Sequence, residues 1–225
     1  LVYPMLRSSY YVSNTAYLLV SAFLGLSLCI VWGYTGIFSF GQVAFYGIAG
    51  YTFGIVSINL TGPVGTMAGL LVGVAVSGAF AFLVGYFMFY GGVSDVYVAI
   101  ITLAVTLVLN TFMGQTAGEE WAVGAARLGG FNGMTEIPSL AIGVGDAAVE
   151  ITDMAFYYFV VGALLFTYLG LRVLVNSDVG YVMVGIRENQ DRTELFGYDT
   201  QKMKLGVFTF GGVLAGFGGV VYASW

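Results

Sequence analysis

The sequence predicts an all-α integral membrane protein. Its form is a polytopic bundle of about six spanning or half-spanning helices, with one further helix outside the bilayer on the cytoplasmic side. Three observations carry this. Of 225 residues, 59% are hydrophobic and only 8% are charged. Soluble domains carry roughly 25% charged residues, so a water-facing surface cannot be built from this composition. No charged residue falls between Arg7 and Asp95, and at about 20 apolar residues per spanning helix that interval holds about three passes. The apolar runs are continuous, whereas barrel strands alternate every second residue. The whole of 1–225 reads as one transmembrane domain.

Residues 1–15 (LVYPMLRSSYYVSNT) combine Tyr3, Tyr10, Tyr11 and Arg7. That is the composition of a membrane interface, where amphipathic rings settle. Leu1 is not an initiator methionine, and no basic segment precedes a short apolar core, so no signal peptide is expected. The first span is expected over 16–32. The stretch 33–54 (GYTGIFSFGQVAFYGIAGYTFG) is uncharged but rich in Gly, Ser, Thr and Gln. Two readings stand open. Small residues let helices approach closely, as at Gly50 and Gly54 in a GxxxG spacing. Alternatively Gly33, Gly36 and Gly41 break the helix near the midplane and expose backbone polar groups to a cavity. Whether 33–58 spans fully or returns is likewise open.

Pro63 opens the next run, 64–90, which is long enough to cross with tilt. Gly65, Gly69 and Gly73 recur every four residues as a packing stripe. Gly91-Gly92 interrupt it, and Ser94 or Asp95 suits the N-cap of a helix over 96–113. That helix carries Thr102, Thr106 and Asn110 four residues apart, hence on one face. They either bond back to their own helix or line a pore. Residues 114–153 form the longest polar interval, with Glu119, Glu120, Glu136, Asp146, Glu150 and Asp153 against Arg127 alone. Tight turns are expected at 129–133 (GGFNG). A further span follows over 154–171 and the last over 205–225, where Gly212 and Gly216 contribute to a small-residue face.

Five of the seven basic residues lie in 172–204: Arg172, Arg187, Arg192, Lys202 and Lys204. The positive-inside rule makes this loop cytoplasmic and 114–153 external. With every run spanning, 91–95 and 33–36 face inward and 59–62 outward. Within the loop, Ser177 or Asp178 can cap a helix, with Val179, Val182, Met183 and Ile186 on one face. Arg187, Glu188, Asp191 and Arg192 make the other face, and Gly197 is a natural stop. Asp199 or Thr200 caps the return into the membrane. Five acidic residues, Asp178, Glu188, Asp191, Glu194 and Asp199, balance the basic ones. Such mixed charge suits a protein partner better than an anionic bilayer. A plain interfacial loop that only orients the chain is the competing reading.

Composition also excludes chemistries. There is no histidine, and Cys29 is the single cysteine. Imidazole metal sites, Ser-His or Cys-His nucleophile pairs and an intrachain disulfide are therefore out of reach. No phosphate-cradling GxxxxGK[ST] loop occurs. No charge lies at membrane depth, which speaks against ion coupling.

The run 184–197 (VGIRENQDRTELFG), followed by 204–208 (KLGVF) and 214–223 (LAGFGGVVYA), resembles the LivM-type membrane subunit of branched-chain amino acid ABC importers. The run 33–52 (GYTGIFSFGQVAFYGIAGYT) resembles that family's glycine-rich motif, and 99–104 (AIITLA) and 129–133 resemble two further blocks, in the same order. Gln42 stands where the family often has histidine. The resemblance implies a multi-pass protein of a prokaryotic inner membrane, not an enzyme. It pairs with a homologous permease subunit, two cytoplasmic ATPases that bind the ATP, and an external solute-binding protein, with no cofactor or nucleic acid of its own. It implies that 178–197 is a coupling helix, with Asp178, Gly185, Arg187, Glu188, Asn189, Arg192, Glu194 and Gly197 facing the ATPase. Family members usually continue beyond the last span, so the chain is expected to be incomplete at one or both ends. Ser39, Gln42, Thr102, Thr106 and Asn110 would wall an alternating-access pathway for a polar solute. Three alternatives stay open: the same machine carrying urea or a short amide, a passive small-solute channel, and a membrane-embedded enzyme.

Overall fold

The computed structural model describes residues 9–143 and 149–225. Tyr3, Arg7 and Asp146, named above, lie outside the described residues. Helices dominate, and five of them are long and apolar enough to cross a membrane. Helix α1 (Ser9–Val20) and helix α2 (Ala22–Leu28) continue through a π-helical turn (Cys29–Tyr34) as one rod over Tyr10–Tyr34. Helix α3 is Gln42–Asn59, α4 is Pro63–Tyr90 and α5 is Asp95–Gly114. Then come α6 (Asp153–Val175), α7 (Asp178–Glu188), α8 (Gln190–Leu195) and α9 (Thr200–Ala223). The two hairpins of the long loop are β1 (Ala122–Val123) with β2 (Ala126–Arg127), and β3 (Ala141–Ile142) with β4 (Val149–Glu150).

Helix α9 is the axis. Within its most apolar stretch 67% of residues are buried, against 11% for α6 and 17% for α5. Lipid cannot drive apolar helices together, so close backbone approach must do so. Glycine provides it here. A Cβ on Gly212 would lie 2.3 Å from Ala81 Cβ, and one on Gly216 2.5 Å from Ser77 Cβ. On α4, a Cβ on Gly73 would lie 2.9 Å from the Ala49 carbonyl, and one on Gly69 3.0 Å from the Phe53 ring. A Cβ on Gly50 would lie 3.1 Å from the Gly219 carbonyl. The Ser77 hydroxyl sits 3.0 Å from the Phe45 carbonyl and 2.9 Å from that of Gly212, so one side chain joins α3, α4 and α9.

Two of the glycines grouped above as helix-packing positions do other work. Gly54 meets Met134 and Ile137 of the long loop rather than a helix. Gly65 is pressed onto the Leu60 carbonyl of its own preceding turn, so the four-residue stripe on α4 is an interhelical seam only at Gly69 and Gly73.

Helix α3, which is not one of those five, still runs the length of the bundle. It starts where the irregular segment 35–41 ends, and its 18 residues span about 27 Å. At its far end Asn59 Nδ2 donates to the Val123 carbonyl at 2.8 Å, and Asn59 Oδ1 accepts from the Ala125 N–H at 3.0 Å. Residues 33–58 therefore run from one end of the bundle to the other without returning. The close-packing reading holds at Gly50; the chain is broken over 36–41 as well, but that break lies against the hook at one end of the bundle rather than near the midplane.

The two polar regions sit at opposite ends. The 114–153 loop is tied to the start of α4 by Thr66 Oγ1, which lies 3.2 Å from both the N–H and the carbonyl of Ala141. The 172–204 region is tied to the start of α5, which follows the far end of the same helix, by Lys204 Nζ to Asp95 Oδ1 at 3.1 Å. The 28 residues of α4 make that separation about 42 Å.

Candidate functional site

The charged region after α6 is a hook of two helices rather than one. Asn189 breaks it, with φ −162° and ψ 101°, and its Oδ1 accepts from the Arg192 N–H at 2.8 Å. Asparagine competes well for this N-cap position, so α7 ends and α8 begins. Gly197 follows at φ +89°, a left-handed conformation open to glycine. Asp199 then caps α9 by accepting from the Lys202 N–H at 3.0 Å. Ser177 holds the N-cap position of α7 without a capping bond; its hydroxyl donates back to the Leu174 carbonyl at 2.6 Å.

The hook has a buried face and a bare tip. Val182, Met183 and Ile186 are buried against the bundle, while Val179 is partly exposed. Gly185 lies over Thr193, which folds α8 against α7. Asp178, Glu188, Asn189, Arg192, Glu194 and Gly197 are exposed. At the tip Leu195 is 88% and Phe196 75% exposed. Hydrogen bonds from Thr200 and then Gln190 hold the Glu194 carboxyl below its usual range. The Lys202 backbone N–H, then its side chain, does the same for Asp199.

Arg187 is exposed too, its side chain 41%, but it leans on the bundle. Its Nη1 donates to the Gly33 carbonyl, and Nε and Nη2 are held by Glu188 Oε1 at 3.1 and 2.8 Å. Gly33 lies in the π-helical turn that leads into segment 35–41. In that segment Ile37 is fully buried, and the Phe38 ring meets Trp32, tilted, at 4.7 Å and Phe40, edge to face, at 4.8 Å between centroids. Helix α5 fixes its end. Thr102 Oγ1 accepts from the Phe40 N–H at 3.1 Å, and Thr106 Oγ1 donates to the Phe40 carbonyl at 3.1 Å. Both hydroxyls also reach their own helix, to Val98 and to Thr102, at 2.8 Å each. The two threonines thus brace the broken segment.

Gln42 follows at the first residue of α3. It is 4% exposed, and neither atom of its carboxamide has a hydrogen-bond partner among the described residues. A Cβ on Gly211 would lie 3.7 Å from its Nε2 and 3.5 Å from Ser27 Oγ, which donates to the Gly211 carbonyl at 2.7 Å. Ser39 is buried and accepts from the Gly41 N–H at 3.1 Å. Of the five residues expected to wall a pathway, Ser39, Gln42, Thr102 and Thr106 therefore gather around the break. Asn110 does not join them and lies exposed one helical turn beyond Thr106.

Two recesses open on the outside of the bundle. One of about 520 Å³ lies between α4 and α9, and one of about 850 Å³ lies between α6, α7 and α9. Neither is lined by those five residues. Among the described residues no three His, Cys, Asp or Glu side chains gather into a metal site.

Sequence reasoning found the hook and the break separately. It missed their connection, because Arg187 and Gly33 are 154 residues apart and no local spacing links them. It also missed the Lys204–Asp95 pair for the same reason.

The comparisons agree with this architecture. The chain is 25% identical to the high-affinity branched-chain amino acid transport system permease protein LivM of Salmonella typhimurium (strain LT2), over 99% of this chain and 54% of that protein. It is 24% identical to the LivM of Escherichia coli (strain K12) over the same shares. The chain thus spans about half the length of the curated relatives it matches. No solved structure gives a significant match. The model of the family described as branched-chain amino acid transport system / permease component matches residues 10–225, and the chain, a multi-pass membrane protein, belongs to that family.

Proposed function

We propose that this chain is the transmembrane subunit of an ABC importer for branched-chain amino acids in a prokaryotic inner membrane. It works with a homologous permease subunit, two cytoplasmic ATPases that bind ATP, and an external solute-binding protein. The observation that carries this is the two-sidedness of the hook. One face is buried in the bundle and the tip offers Leu195 and Phe196, bare apolar groups on a hook that also exposes Glu188, Asp191, Arg192 and Glu194. A bare apolar tip within mixed charge is a docking surface for a protein. The excess of basic residues in 172–204 supports its cytoplasmic side.

ATP binding closes the ATPases and moves the hook as a lever; α9, which leaves the hook directly, rocks the bundle. Access alternates between the two ends, and the polar groups at the break, Gln42 foremost, hand on a zwitterionic solute by neutral hydrogen bonds. The test is transport in proteoliposomes holding this chain with its partner subunits. Leucine uptake should require ATP and the ATPases. Leu195→Asp with Phe196→Asp should leave membrane insertion intact and release the ATPases. Leucine flux without ATPases would make the chain a passive channel, and uptake of urea in place of leucine would reassign the solute.

A further inference from the structure

The hook and the broken segment are usually two separate features of a sequence; here one side chain joins them. The Arg187 stem lies flat on Gly36, where an added Cβ would sit 3.0 Å from Arg187 Cγ. Gly36 has φ +75°, so this backbone turn needs glycine both for conformation and for space. The guanidinium reaches past it to the Gly33 carbonyl and is fixed in its fork by Glu188. Ile37, in the same segment, and Met183, on α7, are both completely buried in one apolar cluster. From there the segment has six residues without regular helix before α3. Its end is clamped to α5 through Phe40, and the next side chain that matters is the unpartnered carboxamide of Gln42.

We propose that Arg187 is a positioning residue that carries the hook's displacement into segment 35–41, and through it sets the place of the Gln42 carboxamide. This inference rests on the function proposed above. It gives Arg187 a role different from contact with an ATPase, because one donor is held by the Gly33 carbonyl of the bundle and two by its neighbour Glu188. A regular helix would transmit a push along its axis only. A segment held at one end by a guanidinium and at the other by two hydroxyls can shift between two bonding arrangements, and a buried amide lacking a partner is the group that such a shift rewards.

The test uses the reconstituted importer in proteoliposomes, with ATP hydrolysis and leucine uptake measured together. Cys29→Ser provides a cysteine-free parent and Phe40→Cys the reporter, read by maleimide labelling with and without ATP. Arg187→Met keeps the stem and removes every donor. The expected result is normal assembly and ATP hydrolysis with uptake per ATP down by about tenfold, the scale of one charge-assisted hydrogen bond. The ATP-dependent change in labelling at position 40 should disappear. Arg187→Lys, which retains one donor toward the Gly33 carbonyl, should recover part of both signals, and it serves the comparison if Arg187→Met fails to assemble. Wild-type uptake per ATP and intact ATP-dependent labelling in both variants would overturn the relay while leaving the importer standing. A parent with no ATP-driven uptake would overturn the function, and the relay with it.

Discussion

Gln42→Leu should make the protein more stable and less active. Gln42 is 4% exposed, and both polar atoms of its side chain lack a partner among the described residues. A buried donor or acceptor left unsatisfied costs about 1–3 kcal/mol. Leucine fills nearly the same space and carries no polar atom, so the substitution removes that cost without opening a large cavity. For a chain of this size about 1 kcal/mol moves Tm by about 2–4 °C, which with about 1–3 kcal/mol gives a rise of about 2–12 °C. On the proposed function, uptake of leucine by the same preparation should fall, because the carboxamide assigned to the solute is gone. Thermal unfolding in detergent, followed by the monodisperse fraction on size exclusion, measures the first effect; proteoliposome flux measures the second. A lower Tm would mean that the carboxamide is a structural tie. Unchanged uptake would remove Gln42 from the pathway.

Two further outcomes follow from charges at the hook end. The Lys204 side chain is 10% exposed and that of Asp95 60%, so the ammonium depends on the pair more than the carboxylate does. Asp95→Asn should therefore cost about 1–3 kcal/mol in thermal unfolding, through a buried charge without its partner, whereas Lys204→Met should cost less than about 1 kcal/mol. The reverse order would refute the assignment of Lys204 as the desolvated partner. The carboxyls of Glu194 and Asp199 are held below their ordinary range in the folded hook. A group lowered on folding adds stability that is complete above its unfolded value, about 4, and is lost as pH falls through the folded one. Protease cleavage in 189–199 should accelerate below about pH 4, and Glu194→Gln with Asp199→Asn should flatten that dependence.

Much of the fold was legible because lipid removes ambiguity: an uncharged apolar run must be helical and must cross. Pro63 at the start of α4 and Gly91 after it mark that helix to the residue. The turns at Gly129, Gly130 and Gly133 all adopt positive φ, as their spacing suggested. Long-range choices were not legible. Gly54 and Gly50 look alike in sequence, yet one meets a loop and the other a helix. Thr102 and Thr106 sit on one face, as periodicity requires, but only the fold shows that this face holds the Phe40 backbone. The split of the hook at Asn189 was hidden because its apolar spacing continues through α7, and capping by a single asparagine outweighs one turn of helix.

Cross-linking measures most directly whether the hook receives force from outside the bilayer. With Cys29→Ser as parent, a cysteine at Phe196 should form a bond to the partner ATPase, and the yield should change when ATP is bound. Reaction of that cysteine with an impermeant maleimide from the face opposite the ATPases, with no ATPase adduct, would contradict the account.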